Sequence, residues 1–150
     1  MRINRKYMLL ALALALTAVT CVVVLLWMFP SDVVTTHYRD LKAATEGDVI
    51  ARGWLPSILP ASTVNIRTSN NLDLNTSEGS FSFSTSDYPT FSERTGLFSP
   101  PARFVDLVDL MRSKGFDVLS FNSTEDHSFW IFFCKPQVGY CEYAMDSKTP

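Results

Sequence analysis

The sequence predicts an α+β domain: a two-layer antiparallel sheet of about five strands with one packed helix, set behind a single transmembrane helix. Three observations carry this. An uncharged run from Met8 to Met28 stands apart from the rest of the chain. Two short segments, Thr63 to Thr68 and Ser80 to Thr85, alternate apolar with polar residues at a period of two. A third stretch, after Ser99-Pro100-Pro101, repeats its apolar residues at helical spacing.

The run MLLALALALTAVTCVVVLLWM has hydroxyls only at Thr17 and Thr20. Its residues, at ~1.5 Å each, span about 32 Å and match a hydrocarbon core of about 30 Å. Arg2, Arg5 and Lys6 precede it, and all fifteen acids follow it. With the ten remaining Lys and Arg, the segment after the run carries a net charge of about −5. Basic flanks stay cytoplasmic, so the expected boundaries are a cytoplasmic N-terminus over 1–7, a signal anchor over 8–29, a spacer over 30–36 and an exterior domain over 37–150. Trp27 sits where an interfacial anchor belongs. A cleaved signal peptide is the alternative, which would leave a secreted protein. It has a shorter apolar stretch and a small-x-small site, and here Trp27-Met28-Phe29 stands at that place. Lipidation at Cys21 is the weakest reading, because the chain stays apolar after it. Ala11 and Ala15 lie four apart, which leaves a helix-driven homodimer open.

After the anchor, Tyr38, Leu41, Ala44 and Thr45 lie at helical spacing, so a short helix is expected over 37–46 with Gly47 as its stop. In Gly53-Trp54-Leu55-Pro56-Ser57-Ile58-Leu59-Pro60, two prolines forbid a long helix or a central strand. The segment reads as a compact turn pinned by Trp54. Residues 70–75 read as a turn-rich bridge and 86–97 as loop. Phe104, Leu107, Val108 and Met111 form one stripe of the helix 100–113, which Gly115 ends. Three strands follow, at 116–121, 128–134 and 140–145. The middle one, SFWIFFC, is apolar on both faces and so belongs at the centre. The order is α-β-β-α-β-β-β.

Cys134 and Cys141 flank a turn containing Pro136 and Gly139, so their sulfurs can meet across a hairpin. An exterior compartment is oxidising, and a disulfide is expected. The six-residue spacer does not fit a C-x-x-C redox motif, and no adjacent His or third Cys completes a zinc site.

No catalytic, cofactor or metal set stands out. Asn71, Asp73 and Asn75 place oxygens at alternate positions, as a calcium loop begins, but Thr76 and Ser82 stand where its glycine and its bidentate acid belong. His37 and His127 are far from any nucleophile signature. A mildly acidic domain with no basic run argues against nucleic acid. The expected function is therefore non-enzymatic binding of a protein or envelope component, with Trp54, Leu55, Asn71 and Asp73 as the candidate surface. The competing expectation is a small enzyme with a site near Trp54, Asp73 and His127.

The block Gly53-Trp54-Leu55-Pro56-x-x-Leu59-Pro60-x-Ser62-x-x-x-Ile66, then Asn71-Leu72-Asp73-x-Asn75 and Phe81-x-Phe83, resembles a family of small envelope proteins of Gram-negative bacteria. That family carries His-Asp where Asn70-Asn71 stands here, and Ala where Thr63 stands. The resemblance covers roughly residues 38–85. It implies a bacterial envelope location and no activity; together with the anchor, the expected placement is the inner membrane with the C-terminal domain in the periplasm.

Overall fold

The computed structural model describes residues 14–24, 32–96, 102–124 and 127–147. They fall into two units that separate within the segment before Asp32. The first contains a helix, α1, over residues 14–24. Leu14, Leu16, Val19 and Val22 to Val24 are exposed along it. The Thr17 hydroxyl donates to the Leu14 carbonyl and the Thr20 hydroxyl to the Leu16 carbonyl. Among the described residues no helix is long and apolar enough to cross a membrane. The remainder of the expected span lies outside the described residues, as do Ser99 and Pro100.

The second unit is the α+β domain. Its strands are β1 (Val33–Asp40), β2 (Val64–Asn71), β3 (Thr76–Ser82), β4 (Asp117–Ser123), β5 (Ser128–Lys135) and β6 (Tyr140–Asp146). Its helices are α2 (Leu41–Glu46), α3 (Tyr88–Arg94) and α4 (Val105–Ser113). All six strands pair antiparallel in one sheet, in the order β1-β2-β3-β6-β5-β4. The sheet has six strands rather than the expected five.

The extra strand is β1. It takes up part of the expected spacer and the front of the expected helix 37–46. Val33, Val34, Thr35, Thr36 and Tyr38 are β-branched or aromatic and favour a pleated strand. Asp40 then ends it with extended backbone (φ −154°, ψ 174°), while its carboxylate accepts from the Ala43 N–H at 2.8 Å. A residue that caps in this way starts the helix after itself, so α2 begins at Leu41. The other departures are local. Asn70 and Asn71, expected in a bridge, finish β2. β3 starts at Thr76 rather than Ser80. The expected loop 86–97 holds α3, with Pro89 in its first turn and Phe91 buried.

Burial alternates along β2 from Ile66 and along β6 as far as Met145, whereas in β5 residues Ser128 to Cys134 are all buried. Its even positions, Trp130, Phe132 and Cys134, join Ile66, Phe81, Phe91, Tyr143 and Met145 in the main core. Ala44 of α2 and Val49, Leu55, Ile58 and Leu59 of the following segment close that core. Its odd positions, Phe129, Ile131 and Phe133, pack under Val108 and Met111 of α4. Where β5 runs, the domain thus has three layers, not two.

The Cys134–Cys141 disulfide is present. The two residues face each other directly in the β5–β6 register, with Cα atoms 4.1 Å apart. Closing so short a loop contributes ~2–3 kcal/mol in the chain-entropy account. Gly79 of β3 is required for a different reason. A Cβ there would meet the Arg67 carbonyl at 2.0 Å, and the Tyr143 ring lies against the same spot.

One polar atom in the core has no hydrogen-bond partner among the described residues, the Thr63 hydroxyl. An orphaned buried hydroxyl costs about 1–3 kcal/mol. Replacing Thr63 with Val keeps the shape and removes the cost. The Thr63→Val domain is expected to unfold at higher urea, by about 1 kcal/mol; a lower midpoint would mean that the hydroxyl has a bound water to lose.

Candidate functional site

α4 covers only part of its side of the sheet. On that side β2, β3 and β6 present Arg67, Ser69 and Asn71, then Glu78 and Ser80, then Tyr140, Glu142 and Ala144, a mostly polar surface. The step from the polar sheet to the helix forms a cleft of about 390 Å³. Arg67, Glu78, Ser80 and Glu142 line its floor, and Leu107 and Met111 of α4 form its wall. A second cleft of about 350 Å³ shares Ser69, Glu78 and Ala144 with the first. It continues towards Asn71, Arg103 and Phe104, so the two make one groove along the helix.

The groove is held by specific contacts. At one end the Arg103 guanidinium lies 2.7 Å from the Asp146 carboxylate and ties the start of α4 to β6. On the floor the Tyr140 hydroxyl donates to Glu142 at 3.2 Å. Burial, and then the neighbouring Glu142 carboxylate, push the Tyr140 phenol above its ordinary range. The wall keeps apolar surface in water. Leu107 is 36% exposed. Of the expected stripe, Val108 and Met111 are in the core with Phe104 packed against them, and Leu107 is turned to the cleft instead.

The residues anticipated from the sequence lie elsewhere, with one exception. Asn71 lines the far end of the groove. Its side-chain oxygen accepts the Leu74 N–H at 3.0 Å and so shapes the β2–β3 turn. Leu55 is fully buried in the main core and offers no surface. Trp54 is half-buried on the opposite side of the sheet from α4, packed against that core. The Arg52 guanidinium sits 5.5 Å from the centre of its ring. Its carbonyl is 2.9 Å from the Ser77 hydroxyl, which also reaches Asn70 Oδ1 at 2.7 Å. The Asn70 amide in turn donates to Thr68 at 3.3 Å. This buried polar chain fastens the Trp54 segment to the sheet. It explains why Asn70 is buried rather than in a turn.

Asp73 is exposed on the β2–β3 turn beside Asp32. A hydrogen bond with Asp32, and then repulsion between the two charges, raise its carboxyl above the ordinary value. His127 is exposed in the β4–β5 turn at φ 54°. These two turns are three strand spacings apart, about 14 Å, so Asp73 and His127 are not within hydrogen-bond reach. Cys134 and Cys141 are both in the disulfide.

With the geometry in place, one family comparison bears on it. Residues 32–82 match the YbbD head domain. The match spans about a third of the chain and supports kinship with a small bacterial envelope-type family. It covers β1 to β3, with the Trp54 segment inside it, and ends before α3, α4 and the β4–β6 strands. No curated protein and no solved structure matches the chain. The head-domain segment therefore supplies the Arg67, Ser69, Glu78 and Ser80 part of the groove floor. Leu107, Met111, Tyr140 and Glu142 come from outside it. Periodicity had no means of finding the groove, because its floor residues are the polar half of each alternating strand.

The Asp32–Asp73 pair gives a pH-dependent outcome. A carboxyl raised in the folded state destabilises the fold above that raised value, and the penalty disappears as pH falls below the unfolded value. Asp73→Asn is expected to raise the thermal midpoint at pH 7 and to leave it unchanged near pH 3. Thermal unfolding of both chains across that range would show it; an equal difference at both ends would exclude charge repulsion as the cause.

Proposed function

We propose that this protein is a single-pass component of a bacterial inner membrane whose periplasmic domain binds an envelope partner through the groove beside α4. The observation that carries the reading is the groove itself. It joins the exposed Leu107 of α4 to a floor of Arg67, Glu78 and Glu142 on the polar sheet face. A monomer has no stability reason to leave Leu107 in water at the edge of a cleft, and such apolar edges mark contact surfaces.

Other features support the placement. The α1 hydroxyls are satisfied by the helix's own carbonyls, as lipid demands, and the helix side chains are apolar and exposed. The buried disulfide fits an oxidising compartment. The head-domain match fits an envelope-associated protein. Lipid through the anchor and a protein or envelope component at the groove are the partners this reading requires, with no cofactor.

Two experiments test it. A reporter active only in the periplasm, fused after Pro150, is expected to be active; an inactive fusion places the domain in the cytoplasm and defeats the topology. A photoreactive side chain at Ser69, on the groove floor, is expected to give one discrete adduct in intact cells. The same probe at exposed Asn122 of β4 should not give it, and Leu107→Asp should abolish it without lowering stability. An adduct that persists with Leu107→Asp would remove the groove from the binding site.

A further inference from the structure

The β2–β3 turn is fastened to the point where the chain enters the domain. The Leu72 N–H donates to the Asp32 carbonyl at 2.9 Å, and Asp32 directly precedes β1. The Asn71 side chain accepts the Leu74 N–H at 3.0 Å and holds the shape of the turn. Two aliphatic side chains stand out from it. Leu72 is 48% exposed and Leu74 53% exposed, and neither belongs to a core. A single exposed leucine needs no explanation, but two on one short turn make an apolar tip.

The length of the tether says what this tip meets. On the topology proposed above, the anchor ends at Phe29 and the domain begins at Asp32. The intervening chain reaches at most about 11 Å, whatever its conformation. The headgroup layer outside a hydrocarbon core is about 5–8 Å deep. Asp32, and Leu72 bonded to it, are therefore held in that layer or at its surface. Charge then selects the lipid. Asp73 sits between the two leucines with Asp32 beside it. Carboxylates are repelled by anionic headgroups and attracted by the ammonium of zwitterionic ones. Asp146, at the same end of the sheet, is already paired with Arg103.

We propose that the β2–β3 turn is a lipid-contacting tip, with Leu72 and Leu74 seated in the headgroup layer of the periplasmic leaflet and Asp32 and Asp73 meeting the ammonium groups of zwitterionic lipid. The proposal rests on the anchor reading and gives the domain a second, non-covalent hold on the bilayer. Burial of the two leucines drives it, as in any shallow interfacial contact. The far end of the groove, at Asn71, then lies next to the membrane.

The test is fluorescence quenching of the full chain, reconstituted in vesicles of phosphatidylethanolamine and phosphatidylcholine. An environment-sensitive fluorophore is placed on Leu74→Cys in a Cys21→Ala background, which removes the exposed free thiol. The control label is on Lys114→Cys, just before β4 and at the opposite end of the sheet, a strand length of about 23 Å away. Lipid carrying a nitroxide high on its acyl chain is expected to quench the Leu74 label several-fold more than the Lys114 label. Leu72→Asp should remove most of that difference; Leu72 is exposed and outside both cores, so the fold is retained. Exchanging half the lipid for phosphatidylglycerol should lower the quenching, and Asp73→Asn should restore it. A label on Cys21 of the otherwise unaltered chain, read with a nitroxide near the acyl-chain end, separates the two possible failures. If Cys21 is quenched and Leu74 is quenched no more than Lys114, the anchor stands and the lipid-contacting tip is overturned. If Cys21 is not quenched either, the anchor reading falls and the tip with it. Quenching at Leu74 that is unchanged or stronger with phosphatidylglycerol overturns the assignment to zwitterionic lipid.

Discussion

The fold depends on burying both faces of β5. Seven consecutive residues, Ser128 to Cys134, are out of water, and five of them are aromatic or branched aliphatic. Each such side chain gains roughly 1.5–3 kcal/mol from full burial. The gain requires cover on two sides, because the pleat sends alternate residues in opposite directions. Trp130 and Phe132 face the aromatic cluster of Phe81, Phe91 and Tyr143, where Phe91 and Phe132 meet edge to face at 5.2 Å. Ile131 and Phe133 need a separate roof, and α4 is that roof. The indole N–H of Trp130 donates to Ser128 at 2.7 Å, so the polar atom buried with the ring is satisfied. The strand is central in the sense that matters physically, since neither face can be stripped without exposing phenylalanine.

The geometry of that roof creates the groove. A nine-residue helix, about 14 Å long, cannot span a six-stranded sheet. It sits over β4 and β5, and among the described residues no helix covers the same side of β2 and β3. A bare sheet face must be polar, and Thr35, Arg67, Ser69, Glu78 and Ser80 make it so. The boundary between roofed and bare sheet is necessarily a step with an apolar wall and a polar floor. At the opposite end of the β5–β6 hairpin the constraint is tighter. Gly139 takes φ 59°, and a Cβ on it would meet the Phe83 carbonyl at 2.1 Å. The Phe83 N–H donates to the Gly139 carbonyl at 2.8 Å, so the turn that the disulfide staples is also joined to the end of β3.

What could be read from the sequence follows from which residues report their own environment. SFWIFFC announces a doubly buried strand, because no other setting accommodates that run in water, and the cysteines seven apart around Pro136 and Gly139 announce the hairpin. β1 was obscured by two patterns written on the same residues. Tyr38, Leu41 and Ala44 keep helical spacing, yet Tyr38 belongs to the strand and Leu41 to the helix, and the capping role of Asp40 decides between them. Asn70 misled for a related reason. Asparagine is a turn former on average, but here its amide is consumed by Thr68 and Ser77 inside the core. The Trp54 block was visible as a unit, while its orientation towards the interior depends on Ser77, more than twenty residues later. The groove was illegible because polar strand positions look alike whether they face open solvent or a cleft.

The head-domain match divides the domain along this same step. The matched segment carries the bare, polar part of the sheet with its Trp54 packing, and the unmatched C-terminal part carries the helix, the doubly buried strand and the disulfide. The two parts cannot be independent bodies, because β3 of the first pairs with β6 of the second along seven residue pairs, and Phe81 packs on Phe132. The floor is therefore set by backbone pairing and by the need of bare β-strands for polar side chains. The wall is set by whichever residues α4 turns outward once Val108 and Met111 are committed to the roof. Leu107 is under no such commitment, and exchanging it would leave β5 covered. The apolar wall of the groove can thus change at Leu107 while the sheet, the disulfide and both cores stay as they are.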